Sequence, residues 1–336
     1  MRILVTGGAG YVGSVSVERL LDAAHEVVVL DDLSTGHRAA VPPGATLEQG
    51  DFGDRDAVAA LLERESIEAI LHCGARSLVG ESVRDPARYY ASNVTGGVAL
   101  LNAAVQAGVR RLVFSSTAAV YGISDATPIL EDAPLRPINP YGETKRAFEG
   151  ALRAYAVAHG LRSVSLRYFN VAGASERSGE DHDPETHLIP NVLAAAEGRG
   201  EVTLFGDDYP TPDGTAIRDY IHVADLADAH LAALEATAPD DPRTGAGPDD
   251  ARALACNLGT AGGFSVREVL AAAEAVVGAP IPHRVGPRRA GDPPVLVASA
   301  DRAEELLGWR PRRPDLAEMI ASAWSWRLTH PGGYPD

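Results

Sequence analysis

The stretch Thr6-Gly7-Gly8-Ala9-Gly10-Tyr11-Val12-Gly13 decides the fold. It follows an apolar run at residues 3–6 that predicts a buried strand, and it opens a helical pattern over residues 11–24. The glycines at 7, 10 and 13 permit a tight turn in which backbone N–H groups can approach a pyrophosphate at the helix N-terminus. A bare glycine pattern also fits an ordinary strand-to-helix turn, so a dinucleotide site needs a second signal.

Asp31 supplies that signal, because it stands at the end of the second predicted strand, 18 residues after Gly13. A carboxylate there can accept hydrogen bonds from an adenosine ribose and repels a 2′-phosphate. No arginine immediately follows Asp31, so the sequence predicts NAD rather than NADP. Asp51, at the end of the third predicted strand, either hydrogen bonds adenine or caps the next helix, and both interpretations stay open.

Short apolar runs alternate with helical patterns through the first half of the chain. Strands are predicted at residues 26–30, 47–49, 69–71, 112–115 and 164–167, and helices over residues 54–65, 86–107 and 141–159. Continuous apolar strands separated by helices indicate an α/β fold with a doubly wound parallel (Rossmann) sheet. We expect an NAD-binding Rossmann domain over residues 1–172 and a smaller C-terminal α/β substrate lobe over residues 173–336, with some later segments returning to the first domain.

The bulk composition excludes several classes of protein. The 336 residues carry a net charge of −16, which argues against a nucleic-acid or anionic-membrane partner, because backbone-driven binding needs a basic surface. The two cysteines are far apart in sequence, so a reduced, cytoplasmic protein without a disulfide framework is expected. No apolar run approaches the ~18 residues of a membrane span.

One lysine, Lys145, stands among 30 Lys and Arg residues. Tyr141 lies four positions earlier and shares a face with it if the segment is helical. A predicted strand ends in the hydroxyls of Ser115, Ser116 and Thr117, and the carboxyl ends of strands face the ligand in a doubly wound sheet. An ammonium at ~4 Å is worth ~4 kcal/mol at an effective dielectric of ~20, enough to bring a phenol pKa from ~10 to near 7. We therefore predict a Ser/Thr–Tyr–Lys set with Tyr141 as the base, against the plainer interpretation of an exposed helix face.

Further segments extend these motifs along almost the whole chain. They are Val79-Gly80-Glu81-Ser82, Tyr121-Gly122, Pro140-Tyr141-Gly142, Arg167-Tyr168-Phe169-Asn170, Arg218-Asp219-Tyr220-Ile221-His222-Val223, Asn257-Leu258-Gly259, Arg288-Arg289 with Gly291-Asp292, and His330-Pro331 with Gly333-Tyr334-Pro335-Asp336. Together they make the chain resemble the UDP-glucose/UDP-galactose 4-epimerases of the extended short-chain dehydrogenase/reductase family. The resemblance implies NAD as cofactor, a UDP-sugar as substrate and a homodimer.

The resemblance also implies a reaction and the residues that perform it. Tyr141 removes the proton of the sugar 4-OH, hydride passes transiently to NAD, the 4-keto sugar turns over, and hydride and proton return on the other face. The expected catalytic residues are Thr117, Tyr141 and Lys145. The expected cofactor contacts are Gly7, Gly10, Tyr11, Val12, Gly13, Asp31, Asp51, Phe52, Asn93, Ser115, Tyr141, Lys145 and Tyr168. The expected substrate contacts are Thr117, Tyr141, Asn170, His187, Leu188, Thr203, Phe205, Arg218, Tyr220, Arg289, Asp292 and Leu296.

The residues themselves bear on the competing functions. Ala118-Ala119 follows Thr117 where nucleotide-sugar 4,6-dehydratases place an Asp-Glu acid pair, which disfavours a dehydratase. A non-enzymatic NAD(H)-binding regulator could lose Tyr141 or Lys145, and both stand. Leu296 lies where some relatives carry a crowding tyrosine, so a UDP-N-acetylhexosamine or another UDP-sugar stays open as substrate. Asp181-His182-Asp183 lies in a polar loop and is interpreted as a solvated turn, with no metal expected.

Overall fold

The structure is a computed structural model that describes residues 1–124, 126–245, 252–289 and 292–335. Gly291 and Asp336, two positions of the resemblance, lie outside these ranges. The strands are β1 (Arg2–Thr6), β2 (Glu26–Asp31), β3 (Thr46–Gln49), β4 (Ala69–His72), β5 (Arg111–Thr117), β6 (Arg162–Tyr168), β7 (Asn170–Ala172), β8 (Val202–Phe205), β9 (Ile217–Arg218), β10 (Tyr220–His222), β11 (Ala253–Leu258), β12 (Phe264–Ser265), β13 (His283–Gly286) and β14 (Val295–Leu296).

The helices surround and connect these strands. They are α1 (Tyr11–Asp22), α2 (Arg55–Arg64), α3 (Val79–Arg84), α4 (Pro86–Tyr89), α5 (Gly97–Gln106), α6 (Pro140–His159), α7 (Leu188–Ala196), α8 (Val223–Ala236), α9 (Pro242–Gly245), α10 (Val266–Val277), α11 (Asp301–Leu307) and α12 (Leu316–Thr329). None of the helices in the described part of the chain is long and apolar enough to cross a membrane.

A seven-stranded parallel sheet in the order β11-β6-β5-β4-β1-β2-β3 forms the centre of the described structure. The doubly wound parallel fold predicted from the sequence is thereby confirmed. The strand order reverses between β1 and β4, and in open α/β sheets ligands bind outside the carboxyl ends of the strands at such a switch point. The glycine stretch follows β1 at this edge.

Helices cover both faces of the sheet, and successive side chains of a strand point to opposite faces. The strands are therefore buried on both faces. In β1, Ile3 and Val5 join the cluster under α1 and α8, whereas Leu4 joins the cluster under α2, α5 and α6. All three side chains are fully buried. Each such side chain contributes ~1.5–3 kcal/mol of transfer free energy, so this apolar run is sufficient reason for a central strand.

The helix predicted over residues 86–107 is wrong as a single regular helix. The segment consists of α4, a π-helical stretch at Tyr90–Gly96, and α5. A π-helical turn holds more residues per turn than an α-helix, so side chains within it depart from the spacing of a regular α-helix. Asn93 lies in this stretch and points inward, as described below.

Later parts of the chain build smaller sheets beside the large one. β7 pairs with β10, β8 with β13, and β9 with both β12 and β14. An apolar cluster that includes Ile189, Val269 and Met319 packs α7, α10 and α12 together. β11 nevertheless pairs with β6 as an edge strand of the large sheet, and α8 packs on α1.

Candidate active site

The turn after β1 fits a bound pyrophosphate. A Cβ atom on Gly13 would lie 2.1 Å from the carbonyl oxygen of Gly7, so only glycine allows α1 to begin so close to the strand. Gly10 is the N-cap of α1 and offers no side-chain hydrogen bond, which leaves the first N–H groups for another acceptor. Tyr11 is turned away from this end, since its hydroxyl donates to the carbonyl of Gly173 at 2.5 Å, and Val12 packs at the edge of the core.

Asp31 braces this turn. Its carboxylate accepts hydrogen bonds from the N–H of Ala9 (3.0 Å) and of Leu33 (2.9 Å). Burial raises the pKa of Asp31, and these two N–H groups partly offset the rise. A carboxylate has about four acceptor positions, so two remain for ribose hydroxyls. The residues present therefore fit an adenine dinucleotide.

Asp51 is not a helix cap. The N-cap of α2 is Asp54, whose side chain accepts from the N–H of Ala57. Asp51 instead accepts from the N–H of Gly53 at 2.7 Å and is exposed. The capping interpretation is wrong, and the adenine contact stays a prediction. Phe52 follows it and packs edge-on against the His72 ring, with centroids 5.0 Å apart.

Tyr141 reaches the end of β5 because α6 begins in close contact with the segment that follows β5. Asn139 caps α6 by accepting from the N–H of Gly142 at 2.8 Å. A Cβ atom on Gly142 would lie 2.5 Å from the carbonyl oxygen of Ala119, so glycine is required for this approach. Thr117 then lies within hydrogen-bonding reach of Tyr141. The structure brings together the Thr and Tyr that the sequence predicted.

Lys145 lies one turn further along the same face and is 4% exposed. Its Nζ donates to the carbonyl oxygen of Ser115 at 2.7 Å and lies 4.7 Å from the Phe114 ring centroid. Burial lowers the pKa of Lys145 to about 8, against partial compensation from Cys73 and Glu149. The exposed-face interpretation is therefore wrong, because the ammonium sits inside the protein.

The pKa of Tyr141 runs opposite to our expectation. Burial raises it to about 12, and the Thr117 hydroxyl offsets only part of the rise. The sequence argument counted the attraction of Lys145 and left out the cost of burying a phenolate.

Asn93 joins three parts of the site. Its Oδ1 accepts from the N–H of Arg76 at 2.8 Å, and its Nδ2 donates to the carbonyl of Arg76 at 2.9 Å. The same Nδ2 donates to Thr144 Oγ1 at 3.1 Å. Asn93 thus fixes the segment after β4 to the helix that carries Tyr141 and Lys145. These hydrogen bonds position neighbouring segments of the protein. The predicted support of the cofactor by Asn93 would act through those segments.

A buried ion pair beneath the site was missed. Glu149, four residues after Lys145, accepts from Arg167 Nε at 2.9 Å and from Arg167 Nη2 at 2.6 Å. The Ser116 hydroxyl donates to the same carboxylate at 2.6 Å. Tyr141, Lys145 and Glu149 follow a four-residue spacing, which is the sequence signal that would have found the pair.

A buried histidine was also missed. His230 on α8 lies 3.1 Å from Ser115 Oγ through Nε2 and 3.0 Å from Ser16 Oγ through Nδ1. Since the Ser16 hydroxyl donates to the carbonyl of Val12, its oxygen accepts from His230 Nδ1–H. Nε2 is then the unprotonated nitrogen and faces the Ser115 hydroxyl, which also lies 3.2 Å from Cys73 Sγ. Burial lowers the pKa of His230 to about 3, so the ring is neutral. Tyr168 packs edge-on against it.

The predicted substrate residues form small groups rather than one contiguous contact set. Arg218 pairs with Leu296 in the register of β9 and β14, and Arg218 Nη2 lies 2.5 Å from Asp292 Oδ1. The Arg289 guanidinium stacks on the Phe205 ring at 3.9 Å.

Four more of these residues lie on the neighbouring elements. Asn170 faces Tyr220 in the register of β7 and β10. Thr203 on β8 faces β13, and Leu188 packs on the α7 cluster.

His187 immediately precedes α7, and its Nδ1 is hydrogen bonded to Glu180 Oε1. Burial would lower the pKa of His187, but Glu180 and then Glu185 raise it to about 9. Burial alone would raise the pKa of Glu180, but its neighbours His182 and His187 lower it to about 2. The positive charge of a protonated His187 is thus compensated by Glu180 and Glu185 of the same loop.

Comparison with known proteins places this geometry in a family. The NAD dependent epimerase/dehydratase family matches residues 3–244. A UDP-glucose 4-epimerase of Streptomyces lividans is 53% identical and covers 100% of this chain and 98% of its own length. The structure of UDP-glucose 4-epimerase from Brucella ovis in complex with NAD superimposes with a TM-score of 0.91 at 44% identity, over 97% of this chain and 98% of that one.

A further solved structure carries a nucleotide sugar. It is the UDP-glucose-4-epimerase from Stenotrophomonas maltophila with bound NAD and formylated UDP-arabinopyranose, with a TM-score of 0.92 at 40% identity, over 98% of this chain and 99% of that one. The chain belongs to the NAD dependent epimerase/dehydratase family. Within that family, the proteins it matches at this level over their full length carry the name UDP-glucose 4-epimerase, which confirms the resemblance read from the sequence.

The buried ammonium should cost stability, and a pH series can reveal the cost. The pKa of Lys145 falls from 10.5 to about 8, so the unfolded chain binds more protons than the folded chain between these pH values. The free energy of unfolding of the wild type should therefore rise by ~3 kcal/mol, relative to Lys145→Met, between pH 7 and pH 10.5. Urea unfolding of both proteins at each pH measures this difference. A difference between the two proteins that stays flat with pH would contradict a buried, charged Lys145.

Proposed function

We propose that this chain is an NAD-dependent isomerase that interconverts UDP-galactose and UDP-glucose by inverting C4 of the sugar. The observation that carries the proposal is the pair of half-buried Tyr141 and buried Lys145, held beside Thr117 at the carboxyl ends of the parallel strands. The glycine turn and Asp31 suit the cofactor at the same edge. The UDP-glucose 4-epimerases that match the full chain support the substrate.

The residues have distinct tasks in this reaction. Tyr141, as phenolate, takes the proton of the 4-hydroxyl while C4 is oxidised, and it returns the proton when C4 is reduced on the other face. Thr117 hydrogen bonds the reacting oxygen. The 4-keto sugar has to turn between these steps, so the protein must hold the diphosphate and leave the ring free. Arg218 and Arg289 supply guanidinium donors for the diphosphate.

The phenolate needs more positive charge than Lys145 provides. Lowering a phenol pKa from about 12 to ~7 requires ~7 kcal/mol. One cation at ~4–6 Å contributes only ~3–4 kcal/mol at an effective dielectric of ~20. Bound NAD would supply a second positive charge as well as the hydride acceptor and donor for C4. Lys145 is therefore necessary for the base and not sufficient on its own.

We place the reaction between the two parts of the chain. Residues 1–172 contain the glycine turn, Asp31, Thr117, Tyr141 and Lys145, which suits a cofactor domain. Residues 173–336 contain Phe205, Arg218 and Arg289 and suit a substrate lobe. A UDP-sugar held by the second part would present its hexose to Tyr141. The free, widely separated cysteines Cys73 and Cys256 favour the cytoplasm as the compartment.

Incubation of the purified full chain with UDP-galactose tests the proposal. UDP-glucose should form without net consumption of NAD, because the cofactor is regenerated in each cycle. Tyr141→Phe should lower the rate by ~10²–10⁴-fold, the usual contribution of a general base. Tyr155→Phe, on the same helix and bonded only to Asn102 at the surface, is the matched control and should keep the rate. If the wild type forms no UDP-glucose, only an NAD(H)-binding role survives.

Lys145→Arg refines the same test. The planar guanidinium cannot occupy the point of a compact ammonium, so its rate at pH 7 should also fall well below that of the wild type. Lys145→Ala removes the positive charge, which raises the phenol pKa, so its residual activity should peak at a more alkaline pH. A fully active Lys145→Arg enzyme would show that any cation serves.

UDP-N-acetylhexosamines are a second candidate substrate, and Leu296 is the observation that favours them. Leu296 lies beside Arg218 in the sheet and packs near Tyr121 and Phe169. A leucine is smaller than tyrosine, so it leaves space near a sugar held by Arg218. We expect turnover of UDP-N-acetylglucosamine by the wild type and a selective loss of this activity in Leu296→Tyr, while UDP-galactose turnover persists. No turnover of the N-acetyl sugar by either protein would exclude this substrate.

We also propose a homodimer formed through α5 and α6. The two helices lie side by side, and Tyr155 on α6 donates to Asn102 on α5 at 2.7 Å. Val98 and Val105 on α5 remain half-buried, whereas Leu101 of the same helix is buried in the core of the chain itself. A second copy is the partner that would cover Val98 and Val105, because it brings an identical apolar face.

Light scattering of the purified chain checks the assembly. Twice the chain mass of 35.2 kDa is expected. Val98→Asp should shift the protein towards the monomer because it would bury a charge in the interface. Val285→Asp, at an exposed apolar position on β13, is the control and should stay dimeric. A monomeric wild type at working concentration would refute the assembly.

A further inference from the structure

Four side chains of metal-ligating type meet in the segment between β7 and α7. Glu180, His182, Glu185 and His187 each offer one donor atom, and the four atoms all lie within 4.8 Å of one another. The sequence analysis had singled out Asp181-His182-Asp183, but the structure turns Asp181 away. Its Oδ2 accepts from the N–H of Tyr334 at 2.8 Å.

The chemistry of the four donors suits one class of ion. When a metal ion binds, both imidazoles must be deprotonated, and the two carboxylates then carry a charge of −2, which a divalent cation neutralises. Imidazole nitrogen favours zinc and its first-row neighbours over magnesium and calcium, which prefer oxygen ligands. Zinc accepts four donors of this kind at ~2.0–2.2 Å, so the donor atoms have to draw in by a small side-chain rotation.

One donor atom lacks a well-formed hydrogen bond in the described structure. His182 Nδ1 is buried and makes no hydrogen bond, although Glu180 Oε1 lies 3.2 Å away. A buried polar atom left unsatisfied costs ~1–3 kcal/mol. The Glu180 side chain is only 8% exposed, so its carboxylate and the His182 imidazole nitrogen lie close together, out of contact with most of the solvent, without a well-formed hydrogen bond between them. An ion between them would satisfy both.

The backbone that presents the donors is fixed from outside the segment. The N–H of Gly179 donates to the Tyr334 hydroxyl at 3.0 Å. The hydroxyl of Ser178 donates to Glu18 on α1 at 2.6 Å. The Tyr11 ring packs edge-on against His182, with centroids 6.4 Å apart. Helix α1 and the C-terminal segment at Tyr334 thus hold this loop in place, as a preorganised site requires.

We propose that Glu180, His182, Glu185 and His187 bind one divalent transition-metal ion of the zinc type in a four-coordinate site. His187 immediately precedes α7, so the ion ties the start of that helix to the loop before it. The role is structural, and the proposed sugar chemistry has no step at this ion. The site goes beyond the proposed function and can be tested without any measurement of turnover.

Calorimetric titration of the chelator-treated full chain with Zn²⁺ tests the site. One equivalent should bind, and the thermal unfolding midpoint should rise, since a ligand that binds only the folded state stabilises it. Replacement of Zn²⁺ by Co²⁺ should give the intense visible absorption of a four-coordinate ion. No binding, or the weak spectrum of a six-coordinate ion, would overturn the proposal.

Variants show where the ion binds. His182→Asn and Glu185→Gln should each lower the affinity at least tenfold, and metal-free circular dichroism should match the wild type. His283→Asn, at an exposed histidine on β13, is the matched control and should bind as the wild type does. Equal affinity of wild type, His182→Asn and Glu185→Gln would overturn the site. If both variants fail to fold, X-ray absorption of the zinc-loaded wild type decides, because two imidazole ligands are required and their absence refutes the assignment.

Discussion

The hydrogen bond from the Lys145 ammonium to the carbonyl oxygen of Ser115 is the constraint on which the rest of the site depends. A charge buried to this degree has to be paired or solvated by fixed dipoles. Helix α6 must therefore lie close enough to the end of β5 for that contact to form. Gly142 permits the approach, Asn139 begins the helix at the right residue, and Asn93 holds α6 against the segment after β4. The position of Tyr141 follows from these contacts.

The site contains two neighbouring pairs of ionisable side chains, and the pairs differ in how well their charges are compensated. Glu149 and Arg167 form a bidentate pair that keeps both charges satisfied within the protein. Tyr141 and Lys145 are left incompletely matched, since burial disfavours both the phenolate and the ammonium. The phenol of Tyr141 can therefore lose its proton near neutral pH only when further positive charge enters the site. The Glu149–Arg167 pair stabilises the surrounding structure, whereas Tyr141 and Lys145 remain available for proton transfer.

The sequence predicted what depends on local pattern and failed where side chains from distant parts of the chain meet. The glycine turn, the parallel sheet and the positions of β1 to β6 along the chain follow from apolar runs and glycine spacing. The π-helical stretch at Asn93, the cap at Asp54 and the bonds of His230 do not, because each depends on a neighbour in space. The pKa of Tyr141 was predicted in the wrong direction for the same reason. Burial is a property of the packed structure, and the residue spacing carries no measure of it.

The contacts of Tyr334 constrain the order in which parts of the chain can fold. Its hydroxyl and backbone meet the loop at Gly179 and Asp181 across about 150 positions of the chain. During synthesis the sheet of β1 to β6 can assemble early, because its strands lie close together in sequence. The loop before α7 cannot take its final form until residues near 334 have left the ribosome. Cofactor-binding surface would then exist on the nascent chain before the loop before α7 is set. Contacts of this sequence separation also slow the last step of folding relative to the first.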